Sequence, residues 1–403
     1  MINVIGLGYI GLPTALMLAM NGNQVVGTDI NKKLVRKLKQ GIVTFEEKGL
    51  EDVFQKAEKN IEFKEEYEKT DFYIVTVPTP YNEKTKEIDP KFIIEAVNNI
   101  LNVCKKETII VIESTVSPGT IDKYIRPLIK ESTFTLNEDI HLAHAPERII
   151  PGNMIAEVVN NPRTIGADKG EIAEKIKAVY STFCKARITT TTIQTAEMTK
   201  VIENTYRAVN IAFANELLKI ANYNNLDSKE IIEICNQHPR VDILNPGPGV
   251  GGHCIPVDPW FLVGDFPRLT RLTTAALEIN ESMPDYVIEK INEIATKENI
   301  TDLSRIGVYG LTYKADIDDV RESPTIQLFN KMKKNFSQPF LSFDPMLKEH
   351  IIENQMMAFD QFVDSVDFIV IMTGHTHIKK VVNLIKDKII LDTQGVLDFG
   401  YKL

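Results

Sequence analysis

The chain has 403 residues, of which 43% are hydrophobic and 25% are charged, and its formal net charge is −9. This length predicts about two or three domains with ordinary cores, and an acidic chain without a run of Lys or Arg is not expected to bind nucleic acid or an anionic membrane. The four cysteines form no CxxC pair, which argues against a structural zinc site, so we predict no bound metal. The N-terminus lacks the basic segment of a signal peptide and no apolar run approaches the ~20 residues of a membrane span, so we expect a cytoplasmic protein.

The first elements form a dinucleotide-binding fingerprint. Residues 2–6 predict a strand, and an apolar pattern typical of a helix follows from residue 15. Between them the chain reads Gly6-Leu7-Gly8-Tyr9-Ile10-Gly11. In this setting the first glycine allows a tight turn, the second lets the backbone approach a pyrophosphate, and the third lets helix and strand pack closely. The pyrophosphate would lie on the N–H groups at the start of the helix.

The next strand indicates that the dinucleotide is NAD. Residues 24–28 predict a strand that ends at Asp29, 21 residues after Gly8. A carboxylate at this position accepts a hydrogen bond from a ribose hydroxyl and repels the 2′-phosphate of NADP. A glycine-rich turn without a ligand would not explain this acid.

Two further predicted strands, at 71–77 and 108–113, are largely apolar and β-branched, as expected for strands that are covered on both faces of a parallel sheet. Each runs into a segment rich in Thr, Ser and Pro, and these segments contain Thr79 and Thr115. Ligands bind at the carboxyl edge of such sheets, so we expect both threonines at the cofactor.

A long helix is predicted in the middle of the chain, where no glycine or proline occurs between Gly170 and Pro239. Thr195 is the expected N-cap of this helix, and the helix is predicted to run to about Tyr223. Its apolar residues recur every three or four positions and so share one face: Met198, Ile202, Tyr206, Val209, Phe213, Leu217 and Ile220. Such a stripe is typical of a domain's central helix or of a dimer interface.

Two polar groups leave a functional and a structural interpretation open. Glu147 and Arg148 are neighbours in a predicted loop, where they could serve a site or form a surface ion pair. Lys200, Asn204 and Arg207 share one face of the long helix, which is a ligand face or an ordinary solvated one.

The segment 239–264 is the most unusual stretch of the chain. It contains five prolines, five glycines, the only tryptophan and Cys254. Because proline restricts φ and glycine allows φ > 0, this composition predicts a loop of defined shape. A thiol in such a loop is a candidate nucleophile, although a buried cysteine that acts as a small hydrophobe has the same appearance in a sequence.

The layout of the first half recurs after residue 304. Strands are predicted at 305–311, 339–344, 367–373 and 388–393. The glycine turn after the first of them lacks the full fingerprint and is followed by Tyr313, Lys314 and Arg321. Two cations past a strand end suit an anionic ligand such as a nucleoside diphosphate.

These elements predict an α/β protein with two Rossmann-like, doubly wound parallel-sheet domains, joined by a helical connector that contains the long central helix. We expect an NAD-binding domain at 1–190, a connector and dimerisation domain with the lysine and the cysteine loop at 191–295, and a second nucleotide-type domain at 296–403, which the family resemblance given next implies to be UDP-sugar-binding.

Seven segments resemble the UDP-glucose/GDP-mannose dehydrogenase family, in that family's order and along nearly the whole chain: GLGYIGLP, VPTP, ESTVSPGT, APERIIPG, EMTKVIEN, PGPGVGGHCIPVDPWFL and GLTYKADIDDVRESP. The doubled Pro-Gly before the cysteine resembles the branch that acts on UDP-N-acetyl-D-mannosamine. The resemblance implies oxidation of a UDP-sugar at C6 to the acid by two NAD, through a thiohemiacetal and a thioester on Cys254.

The resemblance also implies site residues. The catalytic set is Cys254, Lys200, Asp258, Asn204, Glu147 and Thr115. The cofactor would contact Gly6, Gly8, Tyr9, Ile10, Gly11, Asp29, Thr79, Thr115 and Arg321. The nucleotide sugar would contact Arg148, Ile149, Lys200, Asn204, Arg207, His238, Arg240, Gly251, Tyr313 and Lys314. In the family the arginine that matches Arg240 reaches the neighbouring subunit's site, which implies at least a homodimer.

Other interpretations remain open on the sequence. The substrate could be UDP-N-acetylglucosamine or UDP-glucose, because a sequence separates C2 epimers poorly. A one-step hydroxyacid-type dehydrogenase would not need Cys254. A zinc alcohol dehydrogenase would draw its ligands from His253, Cys254, Asp258 and His238, but adjacent His and Cys rarely share a tetrahedral site and no third ligand has the usual spacing. A non-catalytic NAD-binding protein would bind the cofactor without turnover.

Overall fold

The computed structural model describes residues 1–82, 85–252, 254–332 and 340–403. The chain divides into two compact units, Met1–Glu203 and Asn204–Leu403, and the division falls inside one helix. Each unit contains one sheet with helices, as predicted. The start of the strand predicted at 339–344 lies outside the described residues.

The first unit is built on an eight-stranded sheet with the order β3-β2-β1-β4-β5-β6-β7-β8. Its strands are β1 (Ile2–Ile5), β2 (Val25–Thr28), β3 (Ile61–Lys64), β4 (Phe72–Val75), β5 (Thr108–Ile112), β6 (Ile140–His144), β7 (Arg163–Ala167) and β8 (Ile188–Thr191). All the strands predicted in this half are present. The sheet departs from the predicted parallel arrangement at one place, because β6 and β7 are antiparallel. The connection between them contains a single short helix and does not form a full crossover.

Seven helices of the first unit are α1 (Gly11–Met20), α2 (Lys32–Lys39), α3 (Leu50–Ala57), α4 (Lys91–Val103), α5 (Arg126–Glu131), α6 (Met154–Asn160) and α7 (Gly170–Tyr180). The first of them is buried from Gly11 to Ala19, because it packs on the sheet directly after the glycine turn. The core on this side joins α1, α3 and α7 to β1, β2 and β7.

The long central helix, α8 (Ile193–Tyr223), is present and would be about 46 Å long at 1.5 Å per residue. Its N-cap is Thr192 and not the predicted Thr195, since the Thr195 N–H donates to the Thr192 hydroxyl at 3.2 Å. The predicted apolar stripe lies largely on the exposed side: Ile202, Tyr206, Phe213 and Ile220 are 47%, 64%, 54% and 54% exposed. Periodicity identifies a shared face but does not show which face is buried, and here the buried face consists mainly of small and amide side chains.

The second unit contains a six-stranded, wholly parallel sheet with the order β11-β10-β9-β12-β13-β14. Its strands are β9 (Ile306–Tyr309), β10 (Leu341–Phe343), β11 (Gln355–Met356), β12 (Phe368–Ile371), β13 (Ile389–Asp392) and β14 (Tyr401–Lys402). Its helices are α9 (Ser228–Cys235), α10 (Asp258–Asp265), α11 (Arg271–Glu281), α12 (Met283–Lys297), α13 (Pro324–Met332), α14 (Phe359–Ser365), α15 (Thr376–Lys380) and α16 (Val382–Ile385).

The two sheets repeat one topology. In the first, β1 lies between β2 and β4, and in the second β9 lies between β10 and β12. In each sheet the chain first adds strands on one side of the first strand, β1 or β9, and then crosses over to add strands on its other side. Such a change of side opens a crevice at the carboxyl ends of the strands, where ligands bind in doubly wound folds. Each unit therefore has one expected ligand edge.

Candidate active site

The glycine turn between β1 and α1 leaves no room for a side chain at two of its glycines. Gly6 has a φ of +89°, and a Cβ there would lie 3.0 Å from the Thr76 carbonyl oxygen. A Cβ at Gly11 would lie 1.8 Å from the carbonyl oxygen of Gly6. At Gly8, by contrast, a Cβ would meet no heavy atom of the described residues within 4 Å. The turn is closed towards the strand and open at Gly8, as a backbone that receives a pyrophosphate requires.

Asp29 is tied to this turn. One oxygen of its carboxylate accepts the Leu7 N–H at 2.8 Å, and the other accepts the Asn31 N–H at 2.8 Å. The side chain is half-buried at the end of β2, so it is held in place beside the glycine turn. A fixed carboxylate here suits the ribose hydroxyls of NAD and disfavours a 2′-phosphate. Tyr9 and Ile10 are half-buried, and the Tyr9 ring packs on Phe45 with centroids 4.5 Å apart.

Glu197, near the start of α8, supports the loop that carries Thr115. Its carboxylate accepts the N–H groups of Gly119 at 2.7 Å and Ile121 at 3.0 Å. Burial raises the pKa of this carboxyl, and the two N–H donors oppose the shift. Thr115 is half-buried in the loop after β5, and Thr79 is buried in the loop after β4. Both threonines therefore follow neighbouring strands at one edge of the sheet.

The side chains of Glu147 and Arg148 do not form an ion pair with each other, which was one of the two interpretations left open by the sequence. The Arg148 backbone N–H donates to the Glu147 carboxylate at 2.7 Å. The Arg148 guanidinium instead donates to Glu203 at 2.7 Å, to the Pro162 carbonyl at 2.7 Å and to the Thr164 hydroxyl at 3.0 Å. The carboxylate of Glu147 is buried and has a different cationic partner, which is described below.

The cysteine loop packs tightly against the segment that follows β9. A Cβ at Gly251 would lie 2.6 Å from the Cβ of Tyr313, and one at Gly252 would lie 2.9 Å from the Tyr313 ring. The Gly252 N–H donates to the Arg321 carbonyl at 2.9 Å. The glycines before Cys254 thus allow a close approach that larger residues would prevent, and they place the thiol's loop beside Tyr313.

A buried polar group begins where this loop enters α10. The Cys254 carbonyl accepts the N–H groups of Val257 at 3.2 Å and Asp258 at 2.8 Å, which turns the chain into the helix. The Asp258 carboxylate accepts a hydrogen bond from the Asn204 amide at 2.6 Å, and both side chains are buried. Lys200 lies one turn before Asn204 on α8 and is 6% exposed. The shared helix face of Lys200 and Asn204 is therefore buried and not solvated.

The turn that carries Lys314 is held by two buried side chains. Asp344, at the end of β10, accepts the Leu311 N–H at 2.6 Å. The His375 ring accepts the Asp316 N–H at 2.9 Å and lies 3.2 Å from the Asp344 carboxylate. Burial raises the pKa of Asp344, but the hydrogen bonds from His375 and from backbone N–H groups outweigh it and the pKa is lowered. Lys314 itself is exposed beyond this fixed turn.

Several other predicted ligand contacts lie on the surface. Arg207, His238 and Arg240 are exposed, and the backbone N–H of Arg240 donates to the His238 ring at 3.3 Å. Arg321 donates to the Asp319 carboxylate through Nη2 at 2.6 Å, so its guanidinium is oriented by its own loop. Ile149, by contrast, is buried.

Three domain models of one family match most of the chain. Residues 1–184 match the NAD binding domain of the UDP-glucose/GDP-mannose dehydrogenase family, residues 194–282 its central domain, and residues 307–399 its UDP binding domain. The chain belongs to the UDP-glucose/GDP-mannose dehydrogenase family. It is an NAD-dependent nucleotide-sugar dehydrogenase.

Individual family members are similar over nearly their full length. The UDP-N-acetyl-D-mannosamine dehydrogenase of Methanocaldococcus jannaschii is 40% identical over 98% of this chain and 92% of its own. The NDP-N-acetyl-D-galactosaminuronic acid dehydrogenase of Ralstonia nicotianae is 35% identical over 98% of this chain and 96% of its own. The solved structure of the UDP-N-acetyl-mannosamine dehydrogenase Cap5O from Staphylococcus aureus is 37% identical, has a TM-score of 0.89, and covers 100% of this chain and 97% of its own.

Within the described ranges, no helix of this family member has the length and apolar character to cross a membrane. No group of three or more His, Cys, Asp or Glu side chains in those ranges is arranged to hold a metal ion. His253, a ligand in the zinc alternative, lies outside the described residues.

Proposed function

We propose that this dehydrogenase oxidises C6 of UDP-N-acetyl-D-mannosamine to the carboxylate, forming UDP-N-acetyl-D-mannosaminuronate. Relatives with the matching name cover nearly the whole chain. The observation that carries the proposal is the cysteine loop, whose two glycines pack on Tyr313. A thiol presented by such a loop can trap an aldehyde, so one site can complete two successive oxidations.

NAD, when bound, accepts a hydride in each of the two oxidation steps. In the first step the C6 hydroxyl loses its proton, with Lys200 and Asp258 as the proposed proton carriers, and the aldehyde forms. The Cys254 thiolate adds to the aldehyde carbon and the carbonyl oxygen takes up a proton, which gives a thiohemiacetal. Loss of the second hydride and of the hydroxyl proton gives a thioester. Water then attacks the thioester, Glu147 takes its proton, and the acid departs as Cys254 leaves as a thiolate.

The buried polar group supplies the charge stabilisation that these steps need. An oxyanion develops when the thiolate adds and again when water attacks, and a donor at that oxygen is typically worth a few kcal/mol. The Asn204 amide and the Lys200 ammonium are the proposed donors. The Asn204 amide is oriented by its 2.6 Å hydrogen bond to Asp258. An ordinary thiol is mostly protonated at neutral pH, so a nearby cation is also needed to raise the thiolate fraction.

The remaining predicted contacts are part of the same proposal. Thr115 positions water or the nicotinamide end of NAD. The other cofactor contacts are Gly6, Gly8, Tyr9, Ile10, Gly11, Asp29, Thr79 and Arg321. The contacts to the UDP-sugar are Arg148, Ile149, Arg207, His238, Arg240, Gly251, Tyr313 and Lys314, together with Lys200 and Asn204. The Cys254 thiol must stay reduced to act as a nucleophile, and the cytoplasm is a reducing compartment. We therefore also propose a cytoplasmic location.

A turnover panel tests the substrate. The purified enzyme is given NAD with UDP-N-acetylmannosamine, UDP-N-acetylglucosamine, UDP-N-acetylgalactosamine, UDP-glucose or GDP-mannose, and NADH and sugar acid are measured. We expect two NADH per sugar and a kcat/KM for UDP-N-acetylmannosamine at least about tenfold above the others, since one well-placed contact distinguishes substrates by about this factor. A higher kcat/KM for another sugar would replace the proposed substrate. One NADH per sugar with release of aldehyde would contradict the covalent trap.

We further propose that the chain forms a homodimer through the exposed stripe of α8, which consists of Ile202, Tyr206, Phe213 and Ile220. Four large apolar side chains in one row, each about half exposed or more, form a surface that a second copy would bury. Aromatic residues are enriched in the cores of such interfaces. The predicted reach of Arg240 into a neighbouring site also requires a second copy of the chain.

Phe213→Glu tests this interface, because it places a charge in the middle of the stripe. We expect the wild type to sediment as a dimer at micromolar concentration and the variant to sediment as a monomer in analytical ultracentrifugation. Leu384→Glu is the control, since Leu384 is 53% exposed on α16 and lies outside the stripe. A Phe213→Glu protein with unchanged sedimentation, or a monomeric wild type, would exclude this dimer.

A further inference from the structure

The first unit buries an ion cluster at the ends of three strands. Glu113 follows β5, Glu147 follows β6, and Arg163 begins β7. Arg163 Nη1 donates to Glu113 Oε1 at 3.1 Å, and Arg163 Nη2 forms an ion pair with Glu147 Oε2. The three side chains are 0% to 4% exposed. Two carboxyl groups therefore share one guanidinium away from water.

The charges of this cluster do not balance unless it holds a proton. Burial lowers the pKa of Arg163, but the charges of Glu147 and Glu113 outweigh it, so the guanidinium stays charged. With both carboxyls ionised the cluster would carry a net negative charge in a buried place, which is strongly unfavourable. Two buried carboxyl groups that lie on one guanidinium commonly share one proton.

The other groups that face Glu113 do not supply a balancing charge. Tyr180 of α7 lies in the cluster, with its ring centroid 4.7 Å from the Arg163 guanidinium carbon. Burial, and then the charge of Glu113, raise the pKa of Tyr180 well above its ordinary value, so the phenol is neutral. The Thr14 hydroxyl of α1 lies 3.5 Å from Glu113 Oε1 and is also neutral. The missing charge is therefore a proton on one of the two carboxyls.

The hydrogen bonds indicate which carboxyl carries it. Glu147 Oε1 accepts the Arg148 N–H at 2.7 Å, and a backbone donor stabilises the ionised form. Glu113 Oε2 and Glu147 Oε2 are both buried without a hydrogen-bond partner of normal geometry among the described residues. A proton on Glu113 that points at Glu147 satisfies both oxygens at once. Burial raises the pKa of Glu113 to about 8, the charge of Arg163 opposes the rise, and the charge of Glu147 and a hydrogen bond between the carboxyls add to it.

We propose that Glu113 is the protonated member of this carboxyl pair and that Glu113 and Arg163 are positioning residues, which hold the Glu147 carboxylate ionised and oriented for thioester hydrolysis. The last clause rests on the role proposed above for Glu147. The Arg163 guanidinium through its ion pair, and the proposed O–H of Glu113 through a hydrogen bond, converge on one oxygen of Glu147. The backbone N–H of Arg148 holds the other oxygen.

Two variants of equal size separate this role from simple packing. Glu113→Gln keeps a donor that points at Glu147 but cannot ionise, whereas Glu113→Met fills the same space without a donor. We expect kcat of Glu113→Gln to stay within about threefold of the wild type at pH 7, and kcat of Glu113→Met to fall by about 10- to 100-fold through misplacement of the base. The loss should fall on hydrolysis, with an initial burst of two NADH per subunit, and the KM for NAD should change by less than about twofold. Equal rates without a burst in both variants would overturn the positioning role.

A measurement of stability tests the proton without any substrate. Glu113 keeps its proton up to about pH 8 in the folded protein but releases it near 4.5 when unfolded, so folding takes up a proton between these values and stability falls as the pH rises. Between pH 6 and 7.5, the unfolding constant of the wild type relative to Glu113→Gln should rise about tenfold per pH unit. Glu171→Gln, an exposed carboxylate on α7, should follow the wild type.

Infrared spectra of the unliganded protein give a second readout. The carbonyl stretch of a protonated carboxyl should be present at pH 7, disappear above pH 9, and be absent from Glu113→Gln. The proposal would be overturned if the stability of the wild type and that of Glu113→Gln changed in the same way with pH, or if the wild type lacked the carbonyl band of a protonated carboxyl. Either result would count even if the enzyme turns over its sugar. Failure of every UDP-sugar in the turnover panel would contradict the proposed function and leave the two proton measurements valid.

Discussion

Cys254→Ala is expected to abolish formation of the sugar acid, with a fall in its rate of about 10³-fold or more, as is typical when a covalent nucleophile is removed. Without the thiol the first oxidation has no trap, so the product should be a trace of aldehyde with one NADH per sugar. The loop itself should keep its shape. Its packing on Tyr313 depends on Gly251 and Gly252, and the turn into α10 depends on the backbone carbonyl of residue 254.

The measurement is the yield of acid and NADH by chromatography of a reaction with excess NAD. Mass spectrometry of the quenched wild type should also show one covalent sugar adduct on the peptide that contains Cys254. Cys235→Ala is the matched control, because Cys235 is a partly exposed thiol at the end of α9 in the same unit, and it should retain full activity. Acid formation by Cys254→Ala at a rate near that of the wild type would show that another group traps the aldehyde or that no trap exists.

The features that could be predicted from the sequence are those that local spacing determines. The glycine turn and Asp29 lie within one β-α-β segment, so their positions in the fold follow from their positions in the chain. Asp29 bonds the Leu7 N–H, and Asp344 bonds the Leu311 N–H at the corresponding place of the second sheet. The repeated strand pattern predicted the two sheets, but the hydrogen bond that each acid makes appeared only in the structure.

The features that could not be predicted depend on partners far apart in the chain. Glu197 supports a loop at residues 119–121, and Arg163 joins Glu113 to Glu147. Nothing in the local pattern around a glutamate shows that its partner lies tens of residues away. The stripe on α8 illustrates a different limit, because its period predicted one face correctly but carried no information on whether that face is buried within the chain.

Lys200→Met is expected to lower kcat by about 10²- to 10³-fold, the usual cost of removing one donor from a developing oxyanion. The side chain is 6% exposed, and it lies one turn before Asn204, whose amide is bonded to Asp258. A buried ammonium in this position has a larger effect than an exposed one, because little water screens its charge. Methionine keeps the length and the packing, so the KM for NAD should stay within about threefold of the wild type.

Lys200→Arg separates charge from proton transfer. A guanidinium keeps the positive charge but does not give up a proton at ordinary pH, so this variant should lose nearly as much activity as Lys200→Met if Lys200 carries protons. Lys219→Met is the control on the same helix, since the Lys219 ammonium donates to the Ser282 hydroxyl at 3.0 Å and lies 5.3 Å from the Tyr286 ring centroid, two residues that the proposed chemistry does not use, and this variant should keep its kcat within about twofold. Steady-state kinetics at several pH values measure all three variants. A Lys200→Met enzyme with a kcat near that of the wild type would remove Lys200 from the chemistry, whereas full activity in Lys200→Arg alone would reduce its role to that of a fixed charge beside the thioester oxygen.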